Sequence, residues 1–402
     1  MINTLRISVH EERDASAVVR TASYSSPAGS RRVFYHVSGD VLPPPLEVYD
    51  FAVVAAIYAA MREGIPVHVE GPVTAELLRN LEEFQEAWAM WRSTHRPVQI
   101  TADQILPAQQ SPSRRGVFAF SGGVDGTFAL LRHHAGRAGL RTARPVCAML
   151  VWGFDLPLDN QSAFDRAHGS ISDMMGPLGI PLVTVRTNWR AHLSRDWLME
   201  YHAALSACLL QFRGLANVGV CGAGEDYSQL AVPWGSNPVT NHLLSGGGFQ
   251  LHTEGGGFTR TERVRLICDY PDVAAKLRVC WEGPKTGGNC GVCEKCIRTK
   301  LNFLANKQEP LCFDRRPTDM EILRLTARNQ VQLAFLNEIM AAARKNGASG
   351  PWLSSLRLAI AKNRLMLPAR TFGRRVAARM RPLLGRPVVI KAEQRAPQVQ
   401  KK

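Results

Sequence analysis

The chain has 402 residues, 45% hydrophobic and 21% charged, a composition that excludes extended disorder and allows more than one packed core. Its net charge of +15 is unevenly spread: residues 351 to 402 hold thirteen Lys or Arg against the single acid Glu393, so this segment supplies +12 and the rest of the chain only +3. Charge therefore does not make the body a nucleic-acid binder. The longest apolar run, Phe51 to Met61, is much shorter than the roughly 20 residues of a membrane-spanning helix. The start, MINTLRISVHEERD, lacks the pattern of a secretory signal, and a cytoplasmic location is expected.

Residues 1–110 read as a small N-terminal α/β domain. Alternating stretches at Leu5 to Val9 and Val33 to Val37 predict strands. Two helical patterns follow, the second capped by Thr74 and carrying Leu77, Leu78, Leu81, Phe84, Trp88 and Trp91 on one apolar stripe. Pro107 to Arg115 has the turn formers of a linker. In residues 111–310, apolar runs at Val117 to Phe120, Val146 to Trp152, Leu182 to Val185 and Val218 to Gly222 alternate with helical patterns. That order predicts an α/β fold with a doubly wound parallel sheet, its ligand site at the C-terminal ends of the strands. Residues 311–402 read as a helical, basic extension: Arg357 to Met380 mixes Leu, Ala and Met with Arg at helical spacing, Pro382 and Pro387 interrupt it, and Glu393 to Lys402 read as disordered.

The sharpest motif is Ser121-Gly-Gly-Val-Asp-Gly-Thr127, between a predicted strand and a helix expected from about Phe128. Such a loop is an anion trap: Gly122 and Gly123 let the backbone approach phosphate oxygens, and the N–H groups of the helix start point toward them. Ser121 and Thr127 add hydroxyls, and Asp125 suits a magnesium ion bridging phosphates. With no lysine in the segment, it is not a Walker loop. The motif resembles the S-G-G-x-D-S-[ST] signature of the PP-loop ATP pyrophosphatases, with Gly126 where serine is usual. The resemblance implies an adenine nucleotide alpha hydrolase-like fold, cleavage of ATP between its α and β phosphates, nucleotide contacts from Ser121 through Thr127 including Val124, and catalytic roles for Ser121, Asp125 and Thr127.

Of nine cysteines, Cys280, Cys290, Cys293 and Cys296 crowd into one segment with the spacing of a closed, structural metal site. Zinc and an iron–sulfur cluster use the same ligands. Cys147, Cys208, Cys221, Cys268 and Cys312 read as small buried hydrophobes. The ending Cys290-Gly-Val-Cys293-Glu-Lys-Cys296-Ile-Arg298, with Cys280 upstream, resembles that of the 7-cyano-7-deazaguanine synthases of the queuosine pathway, and Gly222-Ala-Gly-Glu-Asp-Tyr-Ser228 looks like their G-x-N-x-x-D-[YF]-S-G segment. The resemblance spans about residues 116–305 and implies zinc at the knot, with ATP and magnesium at the loop. It further implies a ligase that adenylates a carboxylated 7-deazapurine for attack by ammonia.

Two departures matter. Gln229 to Pro238 replaces the family's Y-P-D-C-R pocket segment, and the family has neither the N-terminal unit nor the basic tail. Further candidates are Asp155, for a ribose hydroxyl or as a plain loop acid; Glu225 and Asp226, for substrate amine or magnesium; His202, for substrate or as a core histidine; and Lys276, Arg278 and Lys285, for pyrophosphate. Competing functions are RNA thiolation and nucleotide binding without catalysis. The tail suits nucleic acid, a protein or an anionic surface.

Overall fold

The computed structural model describes residues 4–107, 114–280 and 286–383, with side chains through Pro368. Most of the expected linker and the stretch Glu393 to Lys402 lie outside these residues. The chain forms two compact units: one runs to Gly224 and takes back Gly235–Gly255, the other comprises Glu225–Trp234 and everything from Gly256 on.

In the first unit, β1 (Leu5–Arg13), β2 (Ala17–Ser26) and β3 (Gly29–Gly39) form an antiparallel meander, followed by α1 (Asp50–Glu63), β4 (Val67–Thr74), α2 (Ala75–Trp91) and β5 (Ile100–Leu106). Next come β6 (Arg115–Ala119), α3 (Val124–His134), β7 (Arg144–Trp152), α4 (Gln161–Met175), β8 (Leu182–Thr187), α5 (Trp189–His192), α6 (Trp197–Leu210), β9 (Val218–Gly222) and β10 (Gln250–Glu254). All ten strands share one mostly parallel sheet, ordered β10-β9-β6-β7-β8-β3-β2-β1-β4-β5. The N-terminal strands thus extend the sheet begun at Arg115, through the antiparallel pairing of β3 with β8.

Helix α1 is buried from Asp50 through Met61, consistent with a sequence apolar on every side. It stops at Gly64, whose left-handed backbone (φ 65°) lets its N–H reach the Ala60 carbonyl at 2.8 Å. Thr74 caps α2 as its sequence predicts, accepting from Leu77 N, and Leu77, Leu81, Phe84 and Trp88 are buried. Trp88 meets Tyr58 of α1 edge-on at 4.9 Å. Helices α3 and α6 cover opposite faces of the sheet. A Cβ on Gly219 would press on Leu209 of α6, whereas one on Gly222 would press on Asp125 of α3, and strand positions three apart point to opposite faces.

The second unit contains α7 (Arg260–Ile267), α8 (Pro271–Ala275), α9 (Glu294–Ala305), α10 (Asp319–Arg324), α11 (Gln330–Lys345) and α12 (Trp352–Leu383). In α7 Glu262 closes a capping box with Thr259, because the first-turn N–H groups need acceptors. Its core joins Ile297, Leu301, Leu336, Ile339, Trp352 and Leu356 from α9, α11 and α12. Asn302 of α9 donates to Thr261 Oγ1 at 2.8 Å, and Thr261 in turn donates to Glu338 of α11 at 2.9 Å, which gives both buried donors an acceptor. Among the described residues no helix is long and apolar enough to cross a membrane.

Candidate functional site

The glycine loop follows β6, a central strand with parallel neighbours β7 and β9. Phe120 N still bonds Met149 O at 2.8 Å. The chain then turns through Gly122 at φ 74°, which favours glycine. Helix α3 begins at Val124 rather than near Phe128, so Asp125, Gly126 and Thr127 form its first turn and not a loop. First-turn N–H groups have no acceptor within the helix, so the weak helix formers Asp125 and Gly126 cost little there. The N-cap is Gly123, with no side chain to occupy those groups. Ser121 is exposed, Gly123, Asp125 and Gly126 are half-buried, and Gly122 and Val124 are buried. Thr127 is also buried, with its Oγ1 unpartnered in the structure.

Gly222, at the end of β9, fixes this turn from the side. A Cβ there would overlap the Asp125 backbone and lie 2.7 Å from Gly126 N. A Cβ on Gly126 would meet the Ala119 carbonyl at 3.1 Å, a tighter approach than most Cβ contacts. Asp155 lies half-buried past β7, at the same C-terminal edge of the sheet. The turn holding it starts at Gly153 (φ 110°), where a side chain would overlap the Thr187 carbonyl of β8.

The remaining candidates are placed differently. His202 sits in the core on α6, 2% exposed, with neither ring nitrogen hydrogen-bonded, and burial pushes its pKa down to about 3. Because the folded state holds this ring neutral, its contribution to stability is present above the unfolded pKa near 6.5 and is lost as pH falls toward 3. We expect urea unfolding at pH 5 to show a cost of about 2 kcal/mol from His202 relative to pH 7. His202→Leu should flatten that part of the slope, leaving the share of His95 and His252, which burial lowers to about 4. An unchanged slope would remove His202 from the explanation.

Glu225 and Asp226 belong to the second unit. Glu225 is buried, and its carbonyl accepts from Arg263 at 3.3 Å. Asp226 Oδ1 accepts from Ser228 N at 3.0 Å, closing a short turn. A cavity of about 180 Å³ lined by Arg20, Glu47, Asp50 and Arg213 contains none of the predicted site residues. Its charges are engaged: Arg20 donates to Glu11, Gln211 and Pro44, Asp50 accepts from Thr74, and Arg213 donates to Glu47.

Cys280, Cys290, Cys293 and Cys296 place their sulfurs within 4.8 Å of one another. The Cys280–Cys293 and Cys290–Cys296 separations are 3.8 and 3.9 Å. A tetrahedral metal with sulfur at about 2.3 Å sets its ligands about 3.8 Å apart, so the four residues fit a single ion such as zinc. A four-iron cluster, binding each thiolate to a different iron, would spread them further. The Cys296 thiol, donating to Cys293, holds the latter's pKa below the usual thiol value.

Sequence reading missed what aims these ligands. Asn289 Oδ1 accepts from the N–H groups of Val279 (2.8 Å) and Cys280 (3.2 Å), while its Nδ2 donates to the carbonyls of Leu277 (2.8 Å) and Cys312 (3.1 Å). Lys300, 1% exposed, donates to the Gly291 carbonyl at 2.9 Å and lies over the Phe313 ring. Arg298 pairs with Glu294 at 2.8 Å and covers Phe335, a packing role. Lys276 and Arg278 lie between α8 and the knot, and Lys285 falls outside the described residues. No family model, curated protein or solved structure matches the chain.

Proposed function

We propose that the chain is an ATP-dependent ligase of the PP-loop type, which adenylates a substrate carboxylate, releases pyrophosphate and passes the acyl group to ammonia or an amine. The observation that carries this reading is the segment Ser121 to Thr127, which joins β6 to the first turn of α3 with Ser121 exposed, at the C-terminal edge of the sheet where strand order reverses between β9 and β6. The order β10-β9-β6-β7-β8, all pairs parallel, supports reading this part as a doubly wound sheet, a class whose ligands bind at such a switch point.

In this reading the backbone N–H groups at the start of α3 and the Ser121 hydroxyl hold the phosphates, and Asp155 takes a ribose hydroxyl. Asp125 would hold magnesium, which supplies positive charge between phosphate oxygens. A carboxylate oxygen attacks the α phosphorus and pyrophosphate departs; nitrogen then attacks the acyl carbon and AMP departs. The chain contributes position and donors and needs no covalent intermediate. Zinc at the four cysteines is structural, since four sulfurs leave no open position.

Thiolation lacks a comparable basis. Burial holds Cys147 up at about 12, Cys221 at about 11 and Cys208 higher still, so these thiols stay protonated at neutral pH. The test incubates the protein with ATP, magnesium, ammonia and a panel of heteroaromatic acids, and reads AMP and product mass together. AMP release with a matching amide mass supports the reading. ATP binding without AMP or pyrophosphate from any acid would favour a nucleotide-binding protein without catalysis.

A further inference from the structure

The short helix α5 follows β8 at the C-terminal edge of the sheet, beside the turn after β7 that carries Asp155. Trp189 is buried and donates from Nε1 to the Ala55 carbonyl of α1 at 2.9 Å, and Leu193 is buried as well. Pinned at both ends, the segment turns Arg190, Ala191 and His192 outward, and all three are exposed.

Arg190 is exposed yet held. Its Nη1 donates to the Phe154 carbonyl at 2.6 Å, and its guanidinium lies over the Trp197 ring at 4.5 Å. Phe154 meets the same ring at 5.0 Å. A carbonyl and an aromatic face thus orient the fork in advance, which reduces the freedom it loses on taking up an anion. No protein acid neutralises it. The nearby Asp196 is taken by Arg92 at 3.0 Å, and Glu200 by Arg62 and by the Arg195 N–H. Among the described residues Nε and Nη2 of Arg190 have no acceptor, and together they form the edge that grips a carboxylate with two parallel bonds.

We propose that Arg190 binds the carboxylate of the acid to be adenylated, and that this acid is planar and aromatic; the proposal rests on the ligase reading given above. Phe154 and Trp197 are half-buried, so each keeps ring surface in water on which a second ring can lie beside the fork. Because the Phe154 carbonyl that Arg190 holds directly precedes Asp155, acid and ribose would be neighbours. Each carboxylate oxygen retains a lone pair beyond the one given to the fork, which leaves one for attack on phosphorus.

The test is calorimetric titration of the full chain, without ATP, by indole-3-carboxylate, indole-3-carboxamide and cyclohexanecarboxylate. The indole acid should bind at least about tenfold tighter than its amide, since charge-assisted bonds are lost with the charge, and tighter than the cyclohexane acid. Arg190→Gln should reduce the acid to the level of the amide with melting temperature and ATP binding unchanged, and Arg190→Lys should restore only part, because an ammonium lacks the fork. Equal binding of acid and amide, full binding by Arg190→Gln, no binding of any probe, or displacement of the acid by pyrophosphate would each overturn the proposal. Binding that depends on Arg190 in a protein that forms no AMP would sink the ligase reading and leave this site standing. AMP formation with an unchanged KM for the acid in Arg190→Gln would do the reverse.

Discussion

Replacing Cys290 with serine should release the metal of the knot and destabilise the second unit by about 5 kcal/mol or more, a loss visible as an early melting transition. Cys290 and Cys293 lie just before α9 and Cys296 in its first turn, while Cys280 comes from the segment after α8. The knot therefore anchors the start of a helix whose residues from Cys296 to Ala305 are all buried. Without the fourth sulfur, three thiolates would crowd together with no cation between them, and the start of α9 would lose its tether. Asn289→Ala should have a graded effect, weakening metal affinity by about tenfold, since it releases both chain segments without touching a ligand. Metal analysis of purified protein should find one zinc per chain, and chelation should reproduce the Cys290→Ser melting curve. Identical melting with and without metal would sink the structural assignment.

What the sequence disclosed depended on how local each signal was. The strands β6 to β9 were legible because fully buried strands are short apolar runs ended by turns. β10 escaped because Gln250-Leu-His-Thr-Glu254 is mostly polar. β2 and β4 escaped for a similar reason, their Thr, Ser and Glu positions hiding the alternation. The pairing of Tyr35 with Thr187 that joins β3 to β8 spans 152 residues and leaves no mark in either segment. α2 was read to its cap since Thr74 and a one-sided stripe agree, whereas α3 was read as starting late because glycine and aspartate look like loop.

The candidate site divided along the same line. Cysteine spacing announces a metal group on its own, but the clamp by Asn289 requires two segments and a carbonyl from a third to converge. Gly222 was legible as part of a motif, and its physical reason was not, since only the fold shows that Asp125 leaves no room for a side chain.

That contact gives the second large effect. Gly222→Ala should cost about 1–3 kcal/mol in stability, and it should lower AMP release by about a hundredfold if the glycine turn is the nucleotide site. The added methyl would overlap backbone atoms of Asp125, which cannot rotate aside as a side chain would. Either β9 retreats from β6 or the first turn of α3 moves, and the second route displaces the N–H groups that would hold phosphate. Gly169→Ala is the matched control: a Cβ there meets nothing within 4 Å on α4, and alanine favours a helix, so stability should hold or rise. Melting temperatures and AMP formation measured on both variants separate the possibilities. Reduced stability with undiminished AMP release would place the chemistry elsewhere on the sheet edge. A Gly222→Ala protein as stable as Gly169→Ala would mean that β9 and α3 do not approach this closely.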